Sequence, residues 1–271
     1  MNEAIVRIFS GAIYAALLLL SILSSEYTFT ILVFIFGLFT LFELQKLLDL
    51  KSYLAYFILV VFMVVFKFFH LTEFGYILLI LMFLTLIVNL LLIRDLLAIR
   101  KIPLFEGRKY LLVIFYLISA LVFLTLIPYQ NPTGRYNPDI LIGIFALIWT
   151  NDSFAYLIGK TFGRRKLFER ISPNKTIEGF IGGLVATIIA GGIVCYYSHT
   201  FSYKVWIGLA LITGVFGTFG DLIQSKLKRQ AGVKDSGSLM PGHGGLLDRL
   251  DSIIFAATFI YSFLVIVNHV S

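Results

Sequence analysis

Residues 53–94 read YLAYFILVVFMVVFKFFHLTEFGYILLILMFLTLIVNLLLIR. Two apolar runs, 53–70 and 74–94, are parted only by a short break around Thr72 and Glu73. Each approaches the ~20 residues that a helix needs to cross the hydrocarbon core. The runs are continuous rather than alternating and rich in Leu, Ile and Phe, which selects helices over the strands of a β-barrel. Working outward, further apolar segments lie at 4–24, 28–46, 110–128, 138–159, 176–198, 203–222 and 250–269. The whole chain is 59% hydrophobic and 14% charged, with a mean hydropathy of +0.94. Soluble domains run at about 45–50% apolar and about 25% charged. The expected fold is therefore all-α, a polytopic integral membrane protein of about nine transmembrane helices.

The net charge of +7 raises the question of nucleic acid. Its placement answers it. With nine spans, 19 of the 22 Lys and Arg fall on one side of the membrane, and only Lys67, Arg135 and Lys204 fall on the other. Basic loops face the cytoplasm, so the N-terminus is expected there and the C-terminus outside. The charge then serves topology and attraction to anionic headgroups, and no nucleic-acid partner is expected. The first segment lacks a small-residue cleavage site and is expected to be a retained helix, not a removed signal peptide. Cys195 is the single cysteine, which excludes an intrachain disulfide and a Cys-based metal cluster; it reads as a small buried hydrophobe. No internal repeat is visible, which weakens an inverted-repeat transporter.

The chain divides by chemistry. Residues 1–130 are expected to hold about five spans with few polar groups. Residues 131–271 are expected to hold the catalytic region, with cytoplasmic polar loops at 160–176 and 223–249. Asp152 falls in mid-span beside Asn151, where an ionisable group is costly and is either functional or part of helix packing. The loop after it carries Lys160, Arg164, Arg165, Lys166, Arg170 and Lys175, most of which suffice as topology determinants. Ser172-Pro173-Asn174-Lys175-Thr176 stands directly before an apolar span. Ser172 or Asn174 can cap that helix, whose first amides can bind an anion, and Lys175 and Thr176 would add a charge and a hydroxyl. Glu178 can pair with a base or help to hold a cation.

Residues 221–251 read DLIQSKLKRQAGVKDSGSLMPGHGGLLDRLD. Asp221, Ser225 and Lys228 share one helical face. Asp248, Asp251 and Ser252 share the first turn of the next helix, where an aspartate can also serve as a cap. Carboxylates beside bound phosphates are what Mg²⁺ takes, and metal binding is the preferred reading for Asp221 and Asp248, with Asp251 open between the two roles. Asp235 beside Lys234 can be a local ion pair. The glycines of Pro241-Gly242-His243-Gly244-Gly245 would let backbone amides approach a phosphate. His243 is read as a donor or a shape element rather than a base, because a phosphate monoester is already largely ionised at neutral pH, with a second pKa of about 6.

These residues resemble the C-terminal signature of the phosphatidate cytidylyltransferases, or CDP-diacylglycerol synthases. The family pattern runs S-x-apolar-K-R, four residues, K-D, a small residue, then P-x-H-G-G-apolar-x-D-R-apolar-D. It is met from Ser225 to Asp251, with Met240 standing where Leu, Ile or Phe is usual. The stretches 151–153 and 172–176 are also similar, and the resemblance is strong over about 148–252. It implies a Mg²⁺-dependent reaction, CTP plus phosphatidate giving CDP-diacylglycerol and pyrophosphate, run by a homodimer in the cell (inner or plasma) membrane with its active site open to the cytoplasm. On that resemblance Asp221 and Asp248 are metal ligands, with Asp152, Glu178 and Asp251 as further candidates and a second cation allowed. Lys228, Arg229 and Arg249 join the two aspartates as catalytic groups. Ser172, Asn174, Lys175, Thr176, Ser225, Lys234, His243, Gly244 and Gly245 would bind substrate phosphates. The alternatives are an ion-coupled transporter with intramembrane aspartates as ligands, and another CDP-lipid headgroup enzyme. For the latter, the D-G-x-x-A-R…G…D…D pattern of CDP-alcohol phosphotransferases is absent.

Overall fold

A computed structural model describes residues 3–68, 75–98, 102, 108–242 and 244–270. Nine helices are found among the described residues. They are α1 (Glu3–Ser24), α2 (Glu26–Leu47), α3 (Tyr53–Phe68), α4 (Gly75–Leu97), α5 (Lys109–Tyr129), α6 (Pro138–Phe162), α7 (Ile177–Ser198), α8 (Tyr203–Gln230) and α9 (Leu247–Val270). Seven are long and apolar enough to cross a membrane, while α1 and α3 offer shorter apolar stretches, Phe9–Ser24 and Tyr53–Lys67.

Capping chemistry sets several boundaries. Ser25 and Thr28 form a reciprocal capping box at the start of α2. Asn137 accepts the Asp139 amide at 2.9 Å to open α6, with Pro138 at its first position. Helix α5 is the central post: 78% of its most apolar window is buried, against 22% for α7. Its middle, Leu112–Ile118, is π-helical. Helix α7 turns Gly179, Gly183, Thr187 and Gly191 inward and leaves Ile181, Val185, Ile189 and Ile193 exposed. Small residues let helix backbones approach closely, and the apolar face suits lipid.

Two departures from the sequence reading bear on function. The loop at 160–176 is not irregular throughout: β1 (Lys166–Phe168) and β2 (Ser172–Thr176) form an antiparallel hairpin, the only sheet among the described residues. Helix α8 also runs to Gln230, past the expected end at 222. Leu222, Ile223 and Leu227 are buried apolar residues among the polar ones, so the helix keeps an inward face beyond its apolar run.

Buried charges tie the helix ends together. At one end Lys67 pairs with Glu26 at 3.7 Å, and the Tyr129 hydroxyl joins both. At the other end Lys226 turns from the rest of the polar stretch and donates to the Asp95 carbonyl of α4 at 2.6 Å. Lys226→Ala leaves that carbonyl without its charged donor. It is expected to lower stability by about 1–3 kcal/mol, read as earlier thermal unfolding in detergent.

Candidate active site

At one end of the bundle the hairpin packs on α6 and α7 and reaches α8 through Lys175, with α9 packed against α8. The α6–α7 contact is close: a Cβ on Gly183 would lie 2.8 Å from the Asn151 carbonyl. Asn151 is buried and bridges three helices, donating to Thr218 of α8 at 3.4 Å and accepting from Thr187 of α7 at 3.5 Å. It is packing glue. On the next helix pair, a Cβ on Gly220 would sit 2.5 Å from the Asp251 carbonyl. That approach sets Asp221 of α8 beside Asp251 of α9.

Lys175 of β2 meets Asp221, its Nζ 2.5 Å from Oδ2, and Ser225 donates to Oδ1 at 3.1 Å. The shared face of Asp221 and Ser225 is thus as the helical spacing demands. Asp152 of α6 lies within electrostatic reach of Asp221, Lys175 and Arg249. Asp251 lies within reach of Asp221, Asp152, Lys175 and Lys228. Three helices thus each bring a carboxylate within electrostatic reach of Lys175, which pairs directly with Asp221.

Asp248 sits in a separate cage. Its Oδ1 accepts from Lys228 at 2.7 Å and Gln224 at 3.2 Å, and its Oδ2 accepts the amides of Ser236 and Gly245, both at 2.9 Å. Four donors leave little room for a cation, so Asp248 would reach one only by releasing Lys228 or a loop amide. The Gly245 amide, expected to face phosphate, is engaged by Asp248. Among the described residues no three His, Cys, Asp or Glu side chains converge in ligand geometry. Mg²⁺ does not require that, because it is held by one or two carboxylates with waters and substrate phosphates. The Asp221 carboxylate, about a third exposed and within electrostatic reach of Asp152 and Asp251, fits such an ion in exchange for Lys175.

The hairpin corrects several expectations. Thr176, not Ser172 or Asn174, caps α7, its hydroxyl accepting the Gly179 amide at 3.1 Å. Ser172 and Asn174 lie in β2, where Ser172 pairs with Phe168. Glu178 accepts the amides of Arg164 at 3.0 Å and Arg165 at 3.1 Å, so it anchors the hairpin and not a cation. The hairpin in turn fixes Lys175. Arg229 donates to the Val233 carbonyl at 3.2 Å, closing the C-terminal end of α8 instead of joining the carboxylates. Lys234 is exposed and forms no ion pair with Asp235 among the described residues. His243 lies outside the described residues.

Two groups escape the sequence reading. Glu43 of α2, only 4% exposed, accepts from Ser236 Oγ at 2.9 Å and from the amides of Leu246 at 3.0 Å and Leu247 at 2.8 Å. It caps α9 from another helix, filling donors that have no partner within the helix. A Cβ on Gly237 would meet Glu43 Oε1 at 2.5 Å, so the loop lies hard against this carboxylate. Ser10 of α1 adds a bond to the Pro241 carbonyl at 3.1 Å. The first 130 residues thus support the loop from 236 to 247. The second group is Tyr116, fully buried on the π-helical turn, its hydroxyl without a partner among the described residues. It lies within electrostatic reach of Asp221, Asp248 and Asp251. Glu43 carries a signal in hindsight, a carboxylate inside an apolar span; Tyr116 carries none.

Comparison with known proteins gives a consistent picture. The phosphatidate cytidylyltransferase of Staphylococcus aureus (strain COL) is 52% identical over 113 residues, covering 41% of this chain and 43% of that protein. That of Bacillus subtilis (strain 168) is 44% identical over 128 residues, covering 47% and 48%. That of Staphylococcus haemolyticus (strain JCSC1435) is 49% identical over 113 residues, covering 41% and 43%. The aligned segment spans a little under half the length of these relatives. The cytidylyltransferase family, by contrast, matches residues 5–267. With a helical membrane fold, lysine–aspartate pairs at the bundle's end and a family match over nearly all its length, the chain belongs to the cytidylyltransferase family.

Proposed function

We propose that this chain transfers the cytidylyl group of CTP to phosphatidate, giving CDP-diacylglycerol and pyrophosphate for phospholipid synthesis. The observation that carries this reading is the pairing of Lys175 with Asp221 and of Lys228 with Asp248 at one end of apolar helices. Such a site can receive a water-soluble nucleotide on one side and a lipid phosphate from the bilayer on the other. A phosphatidate oxygen attacks the α-phosphorus of CTP; the new P–O bond forms as the bond to the β-phosphate bridge breaks, and pyrophosphate leaves with that electron pair. Lys175, Lys228 and Arg249 hold the negative charge spread over the transferring phosphoryl group. Ser225 orients Asp221. Asp221, with Asp152 and Asp251, would hold Mg²⁺, and Asp248 would join on exchange of Lys228. When bound, the ion neutralises phosphate charge.

The reading includes a cell-membrane chain of nine spans with the N-terminus and the site in the cytoplasm and the C-terminus outside. The homodimer implied by the family resemblance belongs to it. In a Cys195→Ser background, Ser238→Cys should be labelled by an impermeant thiol reagent only after the cytoplasmic face is opened, and Thr133→Cys in intact cells. The reverse pattern would invert the topology. The function itself is tested by incubating purified protein with CTP, phosphatidate and Mg²⁺. Pyrophosphate and CDP-lipid should appear together, dependent on all three; no product with any phosphatidate would end the proposal.

A further inference from the structure

A cavity of about 640 Å³ opens beside the loop that Asp248 and Glu43 hold. That size is typical of small-molecule sites, about 300–1,000 Å³. One wall is Lys46 in the last turn of α2 and Asp49 just after it, with Lys109 at the start of α5. Lys109 donates to the Asp49 carbonyl at 3.0 Å, which braces this wall. The other wall is the loop itself, with Val233, Asp235 and Ser238. The carboxylates of Asp49 and Asp235 and the hydroxyl of Ser238 take part in no hydrogen bond or ion pair among the described residues.

We propose that this cavity binds the nucleoside part of the nucleotide substrate, the base and ribose. The inference rests on the cytidylyl-transfer reading and deepens it. Three occupants can be weighed by chemistry. An acyl chain would cover Leu47, Leu48 and Val233 but strip water from two lysines and two aspartates without giving them a hydrogen bond. A triphosphate is repelled by the two carboxylates and is better served by Lys175 and Lys228. A cytidine matches the mixed lining: its exocyclic amine and ribose hydroxyls donate to carboxylates, its ring carbonyl accepts from lysine, and its ring face covers apolar side chains such as Leu47 and Val233. Position agrees. Ser236 lines the cavity and its amide binds Asp248 at 2.9 Å, so the cavity and the lysine–aspartate site share one loop. A Cβ on Gly244 would lie 2.8 Å from Asp248 Oδ2 and 3.3 Å from Asp235 Cβ, which puts both aspartates against the same glycine. A base held here leaves its phosphates next to Lys228.

The test uses the full-length protein in nanodiscs. A CTP analogue with a photoreactive azide on the pyrimidine ring should label peptides containing residues 46–49 or 231–238. Asp235→Asn and Lys109→Met should each raise the KM for CTP about tenfold, the loss of one hydrogen bond to a charged group, and shift the KM for phosphatidate by less than about twofold. Turnover with label mapped elsewhere, or with the KM for CTP unchanged in both variants, overturns the cavity assignment and leaves the reaction standing. Label in these peptides without CTP-dependent product supports the assignment and defeats the reaction.

Discussion

Asp221→Asn is expected to lower CTP-dependent formation of CDP-lipid by about 10³-fold while the chain inserts and unfolds like the wild type. The geometry sets both halves of that expectation. Lys175 and Asp221 are 28% and 34% exposed as side chains, so their 2.5 Å pair borders an open site. An exposed ion pair contributes about 0–1 kcal/mol. Asparagine keeps the size and can still accept from Ser225, but it loses the charge that stands among Asp152, Asp251 and Lys175. Lys175, freed from its partner, still faces an incoming phosphate. The fall should therefore lie in kcat, with the KM for CTP unchanged or lower. Asp248→Asn should behave differently. Lys228 and Asp248 are 12% and 7% exposed, and the carboxylate holds four donors. Breaking a buried pair by changing one partner costs about 3–5 kcal/mol. That variant should lose stability as well as activity. A thermal shift in detergent beside the rate assay separates the two, and equal destabilisation by both substitutions would remove Asp221 from its proposed role.

Much of this was legible in the amino-acid sequence. Seven of the nine apolar segments match described helices long and apolar enough to cross a membrane, because long apolar runs have one stable solution there. The pairing of Asp221 with Ser225 follows from helical spacing. What was not legible is long-range. Asp248 is reached by amides from both sides of an irregular loop, and no periodicity describes such a loop. Arg229 and Glu178 sit amid other charges and look like a catalytic group and a cation ligand, yet their partners are a backbone carbonyl and two backbone amides. Side chains near helix ends are claimed first by unpaired backbone groups, and sequence alone does not rank those claims. The hairpin 166–176 was hidden because its basic residues read as topology signals. Glu43 was hidden because its partners lie about 200 residues away in the chain.

Glu43→Gln is expected to loosen the loop from 236 to 247 and to lower activity by about 10²-fold without unfolding the bundle. All three groups facing Glu43 are donors: the Ser236 hydroxyl and the amides of Leu246 and Leu247. Glutamine has one acceptor oxygen. With that oxygen toward Ser236 and Leu247, its amide group faces the Leu246 amide, donor against donor. Turned round, it opposes Leu247 instead. One buried amide is orphaned either way, at about 1–3 kcal/mol, and the favourable charge at the start of α9 is lost, about 0.3–1 kcal/mol more. The sum is below the 5–15 kcal/mol that holds a typical domain, so the damage stays local. Hydrogen exchange should rise about 10- to 100-fold in the loop and the first turn of α9, and stay unchanged in α5. The Asp248 cage shares Ser236 with Glu43, so the loosened loop carries Asp248 and Lys228 out of register. A role for Glu43 in general stability alone predicts exchange rising throughout the bundle, and activity falling only as the folded fraction falls. A normal rate from the folded protein, with the loop exchanging freely, would show that transfer does not need the loop held in place.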